Sequence, residues 1–168
     1  HQFDKVIFAC HGDEALQILQ DANSGEKAIL SKFKYSQNQA VLHRDFSQMP
    51  SNKKAWASWV YLSANQETQI SPTYWMNNLQ NISQAFPLFV TLNPISKIKD
   101  ELTFGTYNYT HPIFDLEAIS AQEQLPKIQG KRGVYFCGAH FRYGFHEDGL
   151  LSALNVANQL GVKASWQK

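Results

Sequence analysis

The chain has 168 residues and a mass of 19.1 kDa, the size of one domain or slightly more. Hydrophobic residues at 43% and aromatics at 13%, against 17% charged, exclude a disordered segment. Lys plus Arg total 15 and Asp plus Glu 14, a net charge of +1, so composition gives no ground for a nucleic-acid or anionic-membrane partner.

The solubilising polarity comes from amides, 15 Gln and 11 Asn. The chain opens at His1 rather than Met and runs into a strand-like segment, which reads as a piece excised from a larger protein or a processed product. No apolar stretch approaches the ~20 residues of a membrane span. Two cysteines, Cys10 and Cys137, are too few for a disulfide framework, and a reducing, cytoplasmic setting is expected.

Lys5 to Cys10 is a short continuous apolar run, the mark of a strand covered on both faces. Gly12-Asp13 breaks it, and Glu14 to Leu19 carries apolar residues at 15, 16, 18 and 19, which completes one βα unit. After a loop from Asp21 to Gly25, Glu26 to Phe33 reads as a second helix with Ala28, Ile29 and Phe33 inward.

Five β-rich runs follow: Ala40 to Arg44, Trp56 to Leu62, Thr73 to Asn77, Leu88 to Leu92 and Leu102 to Tyr109. Turn clusters at 49–52, 63–66 and 93–94 separate them. Trp56, Ser58, Val60 and Leu62 alternate with Ala57, Trp59 and Tyr61, as in a half-exposed strand. Strands this close without helices between them predict an antiparallel or mixed sheet. Asp115 to Gln124 reads as a helix capped by Asp115, with Leu116, Ile119 and Leu125 inward.

The opening pattern then returns. Gly133 to Gly138 is again a buried strand ending in a cysteine, followed by a glycine- and aromatic-rich loop from Ala139 to Phe145. Gly149 to Leu160 is the strongest helix, with Leu150, Ala153, Leu154, Ala157 and Leu160 in one apolar stripe and Gly161 at the left-handed C-terminal position. The fold class is therefore α+β: a β-rich, mostly antiparallel insert bracketed by two βα units. Buried parallel strands normally belong to a larger doubly wound sheet, and two are too few to make one.

Small residues at 137–139 would let a ligand approach the backbone at the carboxyl end of the second strand, where open α/β sheets bind ligands. The helix starting at Gly149 points free N–H groups at the same place. Glu147 and Asp148 already complement that positive end, so the site suits a neutral or delocalised acceptor such as the carbonyl edge of a ring rather than a phosphate.

The apolar strand, Phe136-Cys137-Gly138, the Gly-rich loop, Glu147-Asp148-Gly149 and the Ser152-Ala153…Ala157 helix together resemble the C-terminal flavin-binding signature of the FAD-dependent amine oxidase and phytoene desaturase superfamily. Lys5 to Cys10 resembles the strand with which that family leaves its flavin domain. Tyr74 to Gln80 and His111 to Asp115 resemble the substrate domain of a bacterial branch of NAD/FAD-binding amine oxidoreductases.

The resemblance covers nearly the whole chain, as the last two-fifths or so of a family member. It implies that 1–22 and 128–168 are a discontinuous, partial FAD-binding domain and that 23–127 is the substrate-binding domain. It implies flavin contacts at Ala9, Cys10, Gly138, Ala139, His140, Glu147, Asp148, Gly149 and Leu150. Substrate contacts fall to Trp59, Trp75, Tyr143 and Phe145. The parent would oxidise an amine or a lipid-like molecule by hydride transfer to flavin.

Two departures qualify it. Ala139-His140 stands where the family often has an acidic residue, and the G-x-G-x-x-G turn that seats the FAD pyrophosphate is absent from these residues. Weak or no FAD binding is expected of this chain alone, with a missing N-terminal Rossmann half as its partner.

The same residues admit other readings. Cys137, His140, His146, Glu147 and Asp148 could hold a metal only if Cys10 and His11 supplied a second pair, and no metal is expected. A Cys137 nucleophile paired with His140 or His11 would need an exposed thiol of lowered pKa. Lys53-Lys54 reads as a solvated turn, and His43 and His111 as structural. The alternative to a flavoenzyme portion is a non-catalytic, self-associating α+β binding module.

Overall fold

The computed structural model describes residues 2–64 and 69–166. Among the described residues are seven strands and five α-helices, β1 (Val6–Phe8), α1 (Gly12–Ile18), α2 (Ser24–Leu30), β2 (Lys34–His43), β3 (Trp59–Ala64), β4 (Gln69–Trp75), α3 (Met76–Leu79), β5 (Phe89–Leu92), β6 (Thr103–Ile113), α4 (Leu116–Gln122), β7 (Val134–Phe136) and α5 (His146–Gln159). The chain divides into two compact units, His1–Ser36 with Pro112–Lys168, and Gln37–His111. Residues 23–36 and 112–127, grouped with the insert on sequence, thus cluster with the outer segments. The turn expected at 63–66 lies partly outside the described residues.

In the first unit β1 and β7 form a two-stranded parallel sheet, with Val6 opposite Val134 and Phe8 opposite Phe136. Phe8 and Phe136 stack at 5.6 Å. The core is apolar: Ala15 from α1, Ile29 and Leu30 from α2, Phe33, Ala118 and Ala121 from α4, Leu125, Ile128, Val134 and Phe136. Both early helices carry a side-chain start signal. The Glu14 carboxylate accepts from His11 N, and Glu26 and Asn23 accept reciprocally from each other's backbone N–H at 2.8 and 2.9 Å, a capping box. Asp115 caps α4 as expected, accepting from Ala118 N at 2.8 Å.

Several facings differ from the sequence reading. The first strand is three residues long, and Val6 and Ile7 are 41% and 47% exposed rather than covered. Only β7 has the buried character expected of both strands, through Val134 and Phe136. In α2, Ala28 faces outward while Ile29 and Leu30 are buried. In α4, Leu116 is 88% and Ile119 40% exposed, because the face packed on the core carries Ala118 and Ala121. Small residues let this helix approach closely, and a hydrophobicity count cannot see that.

The same holds for α5. Its buried row is Asp148, Ser152 and Val156, spaced every four residues, while Leu150 is 42% exposed and Leu151 37%. The row that faces inward was chosen for hydrogen bonds rather than for area. Gly161 follows in the left-handed conformation, φ 76°, as expected.

The second unit is built on a five-stranded sheet of order β3-β4-β5-β2-β6. The β3–β4, β4–β5 and β2–β5 pairs are antiparallel. Trp56 precedes β3 after a short 3-10 turn, and Asn77 lies in α3 beyond β4, so both expected strands are trimmed. The alternation along β3 is as read: Val60 and Leu62 are half-buried, Trp59 and Tyr61 exposed.

Candidate functional site

The first candidate lies at the carboxyl ends of β1 and β7. The ladder continues one step past the strands, where Cys137 N–H donates to Phe8 O at 2.9 Å. Ala9 is exposed and Cys10 half-buried at this end. Cys10 O lies 3.3 Å from where a Cβ on Gly138 would stand. The same added Cβ would come within 2.7 Å of His140 Nδ1, and Gly138 has φ 158° and ψ 170°, a region close to glycine-only. Glycine is required here by the chain's own packing.

The loop is anchored by α5. Gly138 N–H donates to Ser152 Oγ at 2.8 Å, and Ser152 Oγ also lies within hydrogen-bond distance of Gly138 O and Gly149 O. The Asp148 carboxylate, 6% exposed, accepts from Tyr143 N and Phe145 N, both at 3.1 Å. Asp148 is therefore spent on shaping the loop, and Glu147 stays exposed. Gln122 Nε2 donates to His140 O and Arg142 O, closing the loop from the α4 side.

The structure brings Cys10, Gly138, Ala139 and the start of α5 together. A Cβ on Gly149 would lie 3.6 Å from Ala139 N, so the glycine leaves the 138–139 peptide uncovered on that side. Among the described residues no protein acceptor takes the Ala139 N–H. His140 behaves differently from its neighbours. It is 3% exposed, its ring meets Phe33 edge-on at 4.9 Å and tilts against Phe141 at 5.0 Å, and its Nε2 is buried without a partner. Burial, with a smaller contribution from nearby His11, lowers its pKa to about 4, so the ring is neutral at ordinary pH. Leu150, Tyr143 and Phe145 are exposed, the last two 66% and 69%.

Neither thiol has nucleophile character. Burial raises the Cys10 pKa, helped by Glu14 and Asp13, and burial raises that of Cys137, helped by Cys10. Among the described residues no group of three or more His, Cys, Asp or Glu side chains converges as a metal site.

The two tryptophans expected at substrate lie in the second unit and part company. Trp59 pairs in register with Tyr74, and their rings meet at 6.0 Å. Trp75 is one residue further along β4, so it projects from the opposite face. It meets Trp56 edge-on at 5.2 Å and lines a cavity of about 220 Å³ with Phe46, Lys53, Trp56, Gln84 and Pro87. Trp59 is not among the lining residues. Lys53, which sequence spacing left as a solvated turn, is the residue missed there; only its closeness in sequence to Trp56 pointed to it.

No family model matches the sequence, and no curated protein matches it. Solved structures do match. Reduced UDP-galactopyranose mutase aligns at TM-score 0.61 and 15% identity, over 96% of this chain and 42% of its own. A conjugated-linoleic-acid-producing fatty acid isomerase from P. acnes aligns at 0.60 and 13%, over 95% of this chain and 42% of its own. A protein from Exiguobacterium sp. 255-15 assigned as a protoporphyrinogen oxidase aligns at 0.59 and 12%, over 94% and 41%. The chain thus spans about two-fifths of the length of each, and at these identities the likeness is one of fold alone, mixed helix and sheet, shared along almost the whole chain.

Proposed function

We propose that this chain is the substrate-binding and partial flavin-binding portion of an FAD-dependent oxidoreductase that oxidises an amine or lipid-like substrate. The observation that carries the reading is the fold likeness over 94–96% of the chain to enzymes more than twice its length. The exposure of Val6 and Ile7 on the two-stranded parallel sheet supports it, since such strands are ordinarily covered by a larger doubly wound sheet. A missing N-terminal half would supply that cover and the pyrophosphate turn these residues lack.

The strand-end residues fit one edge of a flat heterocycle. The Ala139 N–H is available, Gly149 leaves the 138–139 peptide open, and among the described residues the His146 and Glu147 N–H groups at the start of the 14-residue α5 take no protein acceptor, while those of Asp148 and Gly149 donate to Phe145 O. Ala9, Cys10 and Leu150 would bound the ring, while Gly138, Asp148 and Ser152 hold the frame. His140 positions the loop by filling the space beside Gly138. FAD, when bound, supplies the hydride acceptor. Residues 23–127 would supply the substrate contacts, Trp75 foremost, and Tyr143 and Phe145 would add exposed aromatic surface.

The test is the flavin content of the protein expressed from its full open reading frame. Oxidised-flavin absorbance that survives gel filtration is expected, and replacing Gly149 by Val, which covers the 138–139 peptide, should lower retention with the fold preserved by circular dichroism. A colourless wild-type protein that also takes up no added FAD would overturn the reading.

A further inference from the structure

The cavity in the second unit is walled by Phe46, Trp56 and Trp75, with Lys53, Gln84 and Pro87 completing the lining. Its aromatic wall is held rather than loose. The Trp56 indole N–H donates to Pro50 O at 2.7 Å, and the same ring packs edge-on against Trp75 at 5.2 Å and Phe89 at 5.7 Å. Phe89 is fully buried, so this wall is tied into the sheet core. Apolar walls fixed in this way are the ordinary setting of small-molecule sites.

The cation is placed in the same spot. Lys53 Nζ lies 5.4 Å from the Phe46 ring centroid and 5.8 Å from that of Trp56, within cation–π range of both. Among the described residues no carboxylate pairs with it and no protein acceptor takes its three N–H groups. Lysines of this chain that have acids nearby do pair, as Lys34 with Asp115 and Glu117 and Lys97 with Asp100. An ammonium with no acid partner at an aromatic cavity repels a cationic ligand and rewards an anionic one.

We propose that this cavity binds a small molecule with a flat or unsaturated apolar body and a carboxylate head. The body packs on Trp56 and Trp75, the carboxylate takes Lys53, and Gln84 offers an amide to the same head. At about 220 Å³ the space lies below the roughly 300–1,000 Å³ usual for drug-sized ligands, so it admits a single ring or a short chain segment. The assignment narrows the substrate class given above towards acids and away from amines, and in that respect rests on that reading. The binding itself does not require a flavin.

The experiment is a titration of the purified protein with phenylacetate and with phenylacetamide, which has the same body without the charge. Tryptophan indole N–H resonances report it. Phenylacetate should shift the Trp56 and Trp75 signals and bind about fivefold tighter than the amide, the scale of a partly exposed ion pair. Lys53→Gln, at an exposed position that disturbs no core contact, should bring the two ligands within about twofold while keeping the amide's shifts. Unmoved indole signals, equal affinities in the wild type, or a preference that survives Lys53→Gln would each overturn the proposal. Because the readout is independent of FAD, a colourless protein that prefers the acid fails the flavin reading and keeps this one.

Discussion

In the unit formed by 1–36 and 112–168, the interior is a continuous apolar cluster running from α1 and α2 through α4 to β7. In the unit formed by 37–111, the middle of the sheet is a chain of hydrogen bonds among buried polar groups. Asp45 N–H donates to His43 Nδ1, leaving Nε2–H to donate to Thr91 Oγ1 at 2.7 Å, and Thr91 Oγ1 in turn lies 2.8 Å from Thr73 Oγ1. Each of these side chains is fully buried or nearly so. Ser71 Oγ donates to Leu92 O, and Asn77 is 2% exposed with its amide bonded to Ser83 O, Phe86 O and Leu88 N. The first interior depends on volume, the second on satisfied donors and acceptors, and the two should fail differently.

Acid should have the largest effect, and it reaches both interiors. His43 and His140 each have their pKa lowered by burial from 6.5 to about 4. The unfolded chain takes up these protons as pH falls below about 6.5, while the folded chain resists until about 4. Stability is therefore full above that upper value, drains away between the two, and loses nothing further from these groups at lower pH. Urea midpoints at pH 7 and pH 4.5 would check this. A flat profile would mean that neither ring is held neutral by the fold.

Phe136→Ala should come next, costing about 3–5 kcal/mol, because a fully buried ring leaves a cavity in the apolar cluster. Gly138→Ala should cost about 1–3 kcal/mol, through its backbone conformation and the push against the packed His140 ring. Thr91→Val keeps the shape but strips the acceptor from His43 Nε2–H and the partner from Thr73, an expected loss of about 1–3 kcal/mol. Denaturant melts rank all three. If Thr91→Val proved neutral, the hydrogen-bonded interior would be no more demanding than an ordinary core, and the contrast between the units would lapse.

This contrast also explains what could be read from sequence. The apolar runs at 6–10 and 134–138, the Asp115 cap and the left-handed Gly161 were visible because each leaves a local residue pattern. The five β-rich runs appeared in order, with their ends displaced by up to six residues. Helix facing was lost at Leu116, Ile119 and Leu150, where small or hydrogen-bonding residues face inward and larger apolar ones do not. The network of His43, Thr73 and Thr91 joins three strands whose pairing no local pattern announces. At the strand-end site, Gly138 and Gly149 stood out by residue type, but the burial of His140 against Phe33 depends on a contact more than a hundred residues apart in the chain. Lys53 lies close in sequence to the rings it approaches, Phe46 and Trp56, but the wall those rings form depends on Trp75 and Phe89 from later strands.

Amide hydrogen exchange of the full-length protein, with and without added FAD, tests the central claim most directly. The account predicts new protection at residues 9–10, 137–140 and the first turn of α5, with the strands of 37–111 unchanged. Protection confined to 37–111, or none anywhere at saturating FAD, would contradict it.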